Sequence, residues 1–239
     1  RAIATMNWTA TIPENGTRVV VLDTVSKPEI NFGFRMTAAN QTLPNTGLYE
    51  PVPESQAGSW EKRYGESGHD WGESVEQTDD GGYIIAGTSE RTASSEEGKG
   101  DIWLVKTDGN GTKLWERSFG GPEWDDGYSV VQTEEGGYAI TGSYGGDLWL
   151  IRTNENGSEI WNKTFGGERE DWGESVKQTG DGGFIIAGVT DRISSSVAGS
   201  GDLYLVKTDK NGSKIWELVL GESGSDWCRS VQQTSDGGY

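Results

Sequence analysis

One motif recurs four times at nearly fixed spacing, and it constrains the fold more than any other feature. Trp60, Trp115, Trp161 and Trp216 stand 55, 46 and 55 residues apart. Fourteen residues after each comes a serine (Ser74, Ser129, Ser175, Ser230), then a valine, then Gln-Thr three places past the serine. A Gly-Gly-aromatic step follows: Gly81-Gly82-Tyr83, Gly136-Gly137-Tyr138, Gly182-Gly183-Phe184 and Gly237-Gly238-Tyr239. The three complete copies continue as IIAG, AITG and IIAG and reach Asp101, Asp147 or Asp202, each 14 residues before the next tryptophan. Only the stretches 88–100, 143–146 and 189–201 differ in length, holding 13, 4 and 13 residues, which accounts for 55 against 46. Self-similarity with a period near 50 residues marks an architecture in which each unit buries its apolar faces only against its neighbours.

Each unit reads as four strands. SVEQT is the first, and the DDGG that follows is a tight turn. YIIAG is the second, a nearly continuous apolar run suited to burial on both faces. The variable stretch is a loop, and DIWLVKT is the third strand. Asp108-Gly109-Asn110-Gly111 is a hairpin turn in which Asn and Gly reach positive φ at little cost. TKLWERSFG is the fourth strand. Four short strands per unit, repeated with tight turns, predict an all-β chain: a β-propeller of four-stranded blades, about three and a half of them, preceded by a small β segment. An open β-solenoid is the main alternative, although its rungs are usually shorter.

The string SVEQTDDGGYIIAGTS with GDIWLVKTDGNGTKLWERSFGG resembles the DGGY-type β-propeller repeats of archaeal and bacterial cell-surface proteins, and more distantly kelch and pyrroloquinoline-quinone propellers. The resemblance covers about residues 57–239 and is specific for fold rather than function. In the quinone type, a turn ending in Gly-x-x-x-Trp locks adjacent blades. Gly111 with Trp115, Gly157 with Trp161 and Gly212 with Trp216 match that spacing, with a turn one residue shorter. The resemblance implies a secreted or cell-surface protein.

Blades are expected at about 72–120, 127–166 and 173–221, with a partial blade at 228–239. Trp60 to Gly65 stands before them as an orphan fourth strand, of the kind that completes the last blade when a ring closes. Three and a half blades do not fill a common ring, so either the natural chain continues past 239 or two chains share one ring. The N-terminal part is different in character. Five of the six prolines lie in residues 1–59. Residues 4–12, 17–25 and 30–38 read as strands, so 1–43 is a β segment, either the end of an upstream domain or strands for assembly, and 44–59 is a linker. The chain begins with Arg1 and shows no signal peptide, as a processed or trimmed N-terminus would.

Composition narrows function. Lys and Arg number 20 against 38 Asp and Glu, a net charge of −18, which argues against nucleic acid and anionic membranes as partners. No apolar run reaches the roughly 18 residues of a membrane helix, so no direct membrane insertion is expected. One cysteine, Cys228, forbids an internal disulfide, and one histidine, His69, read as a loop residue, makes His-based metal sites and triads improbable.

Asp70, Asp125, Asp171 and Asp226 each lie ten residues after an anchoring tryptophan, so they should form a ring at one end of the propeller. Such a ring could hold Ca²⁺ or a cationic ligand, or cap turns structurally, as a residue repeated in every blade usually does. Trp71, Trp172 and Trp227 follow three of them and Asp126 the fourth. These tryptophans could stack on sugars or pack between blades. Glu73 and Glu174 recur, but Tyr128 and Arg229 break the pattern, so no glycosidase-type carboxylate pair can be singled out. Seven N-glycosylation sequons are present, at Asn7, Asn15, Asn40, Asn110, Asn156, Asn162 and Asn211. The expectation is an extracellular, glycosylated propeller without catalysis. It would act as a structural or interaction module, in a surface layer or filament, with protein partners, self-assembly or surface glycans. The alternative is a ligand- or sugar-binding or enzymatic propeller whose site lies in other blades.

Overall fold

The computed structural model describes strand backbone at 5–11, 17–23 and 33–37, then residues 59–65, 69–90, 100–167, 169–190, 201–221 and 225–239. Side chains are described from Trp60 onward. Every regular element among the described residues is a strand; none is a helix.

Three antiparallel four-stranded meanders carry the repeats. Sheet I holds β5 (Asp70–Gln77), β6 (Tyr83–Glu90), β7 (Gly100–Thr107) and β8 (Lys113–Phe119). Sheet II holds β9 (Gly127–Gln132), β10 (Tyr138–Tyr144), β11 (Asp147–Thr153) and β12 (Glu159–Phe165). Sheet III holds β13 (Asp171–Gln178), β14 (Phe184–Thr190), β15 (Asp202–Thr208) and β16 (Lys214–Leu220). Strands therefore extend into the variable stretches. Tyr144 pairs with Asp147 across a turn at Gly145-Gly146, whereas 91–99 and 191–200 fall outside the described residues.

One expectation is corrected. The strand at Trp60 does not stand alone to close a last blade. β4 (Ser59–Arg63) pairs with β3 (Gly33–Thr37), which pairs with β2 (Thr17–Asp23) and through it with β1 (Thr5–Thr11). The division between 1–43 and 60 onward thus runs through one hydrogen-bonded sheet. The expected linker, apart from Ser59, lies outside the described residues.

The apolar cores lie between sheets. Ile84, Ala86, Ile102 and Leu104 of sheet I meet Val130, Tyr138, Ile140, Trp149 and Ile151 of sheet II. Val131, Ala139, Leu148, Leu150 and Phe165 on the other face of sheet II meet Val176, Phe184, Ile186, Tyr204 and Val206 of sheet III. Ile85 turns instead toward Tyr64, and Ile185 and Ala187 toward Val231. Because successive residues of a strand point to opposite faces, the IIAG run must be apolar throughout: each sheet has a neighbour on both sides. At roughly 1.5–3 kcal/mol per fully buried aliphatic side chain, these contacts dominate the stability of the succession.

Two repeated locks use the motif residues. In the first, the motif serine hydroxyl of one unit accepts the valine N–H of the next: Val130 to Ser74, Val176 to Ser129 and Val231 to Ser175, all at 3.3 Å. The motif glutamine reaches back to the preceding unit, accepting from the backbone N–H of Asp79 on Gln132, of Glu134 on Gln178 and of Gly180 on Gln233, at 2.8–2.9 Å. In the second, each anchoring tryptophan packs on the aromatic of the following Gly-Gly step, edge-on in three copies and tilted for Trp115–Tyr138. Ring centroids are 5.8 Å apart for Trp60–Tyr83, 5.8 Å for Trp115–Tyr138, 5.9 Å for Trp161–Phe184 and 5.7 Å for Trp216–Tyr239. The hairpin glycine of the following unit sits on the same indole. A Cβ on Gly157 or Gly212, both at positive φ, would come within 2.7 Å of Trp115 or Trp161. Trp60, Trp115 and Trp161 are thus each gripped by the hairpin glycine of the next unit, Gly111, Gly157 and Gly212, and not by their own, and adjacent units are locked through them.

Candidate functional site on the first strands of the sheets

The strand that heads each sheet carries a β-bulge at the same place. The register slips between Gly72 and Ser74 in β5, between Gly127 and Ser129 opposite Thr141 and Gly142 in β9, and between Gly173 and Ser175 in β13. The extra residue is Glu73, Tyr128 or Glu174. A bulge needs the partner backbone close by. A Cβ on Gly87, Gly142 or Gly188, the last glycine of IIAG, AITG and IIAG, would land on the carbonyl oxygen of Trp71, Asp126 or Trp172. That approach makes this glycine obligatory in every copy. Bulges re-aim side chains, and here they re-aim a position at which the repeat varies, as Glu73, Tyr128, Glu174 and, in the terminal segment, Arg229.

The re-aimed groups share one space. Glu73 is raised above the usual carboxylate range by desolvation first, then by the charges of Glu174 and Asp126, with Arg229 opposing. Burial, followed by the carboxylates of Asp126, Glu174 and Glu73, pushes the Tyr128 phenol well above its ordinary value. Its hydroxyl donates to Asp126 Oδ2 at 3.4 Å, and Asp126 Oδ1 accepts from Thr88 at 3.0 Å. Arg229 reaches back from the terminal segment to Glu174 at 3.2 Å, and its guanidinium lies 5.3 Å from the Trp227 ring centroid. Trp172 Nε1 donates to Glu174 Oε1 at 3.1 Å. Three sheets and the terminal segment therefore contribute to one cluster of carboxylates, a phenol, an arginine and indoles.

The four ring aspartates lie close by, but each serves its own loop. Asp125 Oδ2 accepts from Gly121 N–H at 2.6 Å and Oδ1 from Gly145 at 3.1 Å; Asp171 Oδ2 accepts from Gly167 at 2.7 Å. Asp70, Asp125 and Asp171 are buried, while Asp226 is exposed. Burial raises Asp125 despite those N–H bonds. A second aspartate shares three of the loops. A Cβ on Gly120 would crowd both Asp101 and Asp125, one on Gly166 both Asp147 and Asp171, and one on Gly221 both Asp202 and Asp226. Among the described residues, no three His, Cys, Asp or Glu side chains converge as a metal cradle, and the geometry seen is that of carboxylates tying a glycine loop to the sheet.

Of the remaining candidates, His69 stacks on Trp71 with centroids 6.0 Å apart. Cys228 is a half-buried free thiol beside the Val231 contact. Asn110, Asn156 and Asn211 are exposed at hairpin tips, where their backbone N–H groups bond Asp108, Asn154 and Asp209. Asn162 differs: its amide oxygen accepts from Trp149 Nε1 at 3.2 Å and its amide nitrogen donates to Glu159 at 2.6 Å. Asn7 lies on β1, without side-chain description, and Asn15 and Asn40 fall outside the described residues. Sequence reasoning did not find Lys106 and Lys207. Both are buried third-strand lysines, bonded to Asp80 and Asp181 of the Gly-Gly turns at 2.8–3.0 Å and to the Thr107 and Thr208 carbonyls. The recurrence of Lys-Thr at the end of the third strand, replaced by Arg152-Thr153 in sheet II, was the available signal.

No family model and no curated protein matches the chain. Among solved structures, it is similar to a protein of unknown function from Bacteroides caccae, at 11% identity and a TM-score of 0.31, over 91% of this chain and 94% of that one. At that score the likeness adds nothing to the description of the fold, which rests on the chain's own pairing.

Proposed function

We propose that these sheets are blades of a β-propeller of the DGGY-repeat kind, serving a cell surface as a non-catalytic structural or interaction module. What supports the reading is the lock itself: the same serine, glutamine, tryptophan and glycine join each sheet to the next, and each sheet leaves its inner strand toward one side. Succession of that kind favours a radial over an independent arrangement of sheets. The strong acidity suits an extracellular protein kept apart from anionic polymers, and exposed hairpin-tip sequons suit glycosylation. Fractionation of the native organism with an antibody against the chain tests the localisation: recovery in the surface or secreted fraction is expected, and recovery confined to the cytosol overturns it.

A second reading, a ligand-binding propeller, is favoured by one observation: the bulge position varies as Glu73, Tyr128, Glu174 and Arg229 while the serine that follows it stays fixed. A residue that only filled space in a repeat would be expected to repeat.

A further inference from the structure

Three exposed asparagines each precede a buried glycine. Asn110, Asn156 and Asn211 are exposed at the hairpin tips, while Gly111, Gly157 and Gly212, the next residues, are buried. What covers these glycines belongs to the preceding unit. A Cβ on Gly111 would meet the ring of Trp60, and one on Gly157 or Gly212 would come within 2.7 Å of Trp115 or Trp161. The first tip is held further: Trp60 Nε1 donates to the Gly109 carbonyl at 3.2 Å, and the Tyr64 hydroxyl donates to the Gly111 carbonyl at 2.6 Å. Each glycine N–H is also committed within its own turn. Gly111 donates to the Asp108 carbonyl at 3.1 Å, Gly157 to that of Asn154 at 3.0 Å and Gly212 to that of Asp209 at 3.1 Å.

Asn-Gly is the step at which an asparagine side chain is most open to attack by the main chain, since glycine has no side chain to shield its nitrogen. The glycine nitrogen gives its proton to hydroxide and attacks the asparagine Cγ. An N–C bond forms, the bond from Cγ to Nδ2 breaks, and the side-chain nitrogen takes a proton from water and leaves as ammonia. Water then opens the succinimide at either carbonyl, giving aspartate or isoaspartate. Reaching Cγ requires rotation about the Cα–C bond of the asparagine, which breaks the turn bond and lifts the glycine from its place against the indole.

We propose that Asn110, Asn156 and Asn211 are deamidation sites gated by the joints between units, closed while the preceding sheet's indole holds the glycine and reactive once that joint opens. Isoaspartate puts one more methylene into the main chain directly before the glycine, beside a position where the indole leaves no room for an added carbon. A joint that opens and reacts therefore does not close again in its original form, and the modification marks it. Where opening and closing are fast relative to the reaction, the rate at each site follows the open fraction of its own joint.

Peptide mapping that separates asparagine, aspartate and isoaspartate tests this on the full chain, made without N-glycans and kept at mildly alkaline pH. Synthetic peptides spanning each tip give the rate of the open form. In the folded parent each site is expected to react at least about tenfold more slowly than its peptide. Trp161→Ala should speed the reaction at Asn211 about tenfold and leave Asn110 unchanged, and Trp60→Ala should do the reverse. Trp161→Phe, which keeps an aromatic ring against Phe184, should show the same preference for Asn211 with a smaller gain, and it decides the matter if the alanine variants do not fold. Reaction in the folded parent at the peptide rate, equal acceleration of all three sites in a folded variant, or no acceleration at Asn211 overturns the assignment.

Discussion

Replacing Gly212 by alanine should destabilise the chain mainly through a contact with another unit. Gly212 sits at φ +77°, where alanine costs about 1–2 kcal/mol in any surroundings. Its Cβ would also stand 2.7 Å from Trp161 Cζ3 and 2.9 Å from Lys163 Cγ, on the outer strand of the preceding sheet. Crowding of that order adds about 1–3 kcal/mol, for a total of about 2–5 kcal/mol. Trp161→Ala removes the ring and its edge contact with Phe184, for about 2–4 kcal/mol. If the lock is as described, the two losses do not add: in the Trp161→Ala background Gly212→Ala should cost only its backbone part, giving a coupling of about 1–3 kcal/mol. Urea unfolding of the two single variants, the double variant and the parent, with m-values compared for loss of cooperativity, measures it. Additivity within about 0.5 kcal/mol would refute the claim that this glycine is held by the neighbouring indole.

Other outcomes follow from the same geometry. Gly188→Ala places a Cβ on the Trp172 carbonyl and should cost more than about 3 kcal/mol or prevent folding, whereas Gly180→Ala, with only the Gln233 amide nearby at 3.7 Å, should be mild; soluble yield and thermal unfolding compare them. The bond from Lys106, then that from Thr78, holds the Asp80 carboxyl down to about 2, and Thr179 and Lys207 likewise lower Asp181. A carboxyl lowered in the folded state stabilises above its unfolded pKa, near 3.8, and loses that contribution as pH falls toward 2. Because Asp80 is largely exposed, about 1 kcal/mol per turn is expected, and Asp80→Asn with Asp181→Asn should flatten the loss of urea stability between pH 5 and pH 2.5; an unchanged acid slope contradicts the assignment. Glycopeptide mapping of chain secreted from an N-glycosylating host should find sugar on Asn110, Asn156 and Asn211 and little on Asn162, whose amide is bonded at both ends; full occupancy of Asn162 would speak against those bonds.

Much of the architecture was legible because the repeat acts as an internal alignment. Fixed spacing placed strands β5 to β16 and their turns to within a few residues. The apolar IIAG run correctly signalled burial on both faces. The bulges were not legible, since a one-residue slip leaves no mark on spacing that every copy shares. For the same reason Glu73, Tyr128 and Glu174 read as an irregular column and not as side chains aimed into one space. The pairing of β4 with β3 was hidden by the non-repeating, proline-bearing stretch between them. The exposed Leu114, Ile160 and Ile215 have a similar cause: each is the extra residue where β8, β12 or β16 slips against its neighbour, so no partner lies opposite it.

Those three outward positions also offer the most direct test of the radial arrangement. Spin labels placed pairwise at 114, 160 and 215, with Cys228→Ser to remove the native thiol, give three distances by pulsed electron resonance. Sheets turned about a common axis predict equal 114–160 and 160–215 distances and a 114–215 distance about 1.7–1.85 times either, as for a six- to eight-bladed ring. A 114–215 distance equal to the sum of the other two would mean a linear pile of sheets, and the propeller account would be wrong.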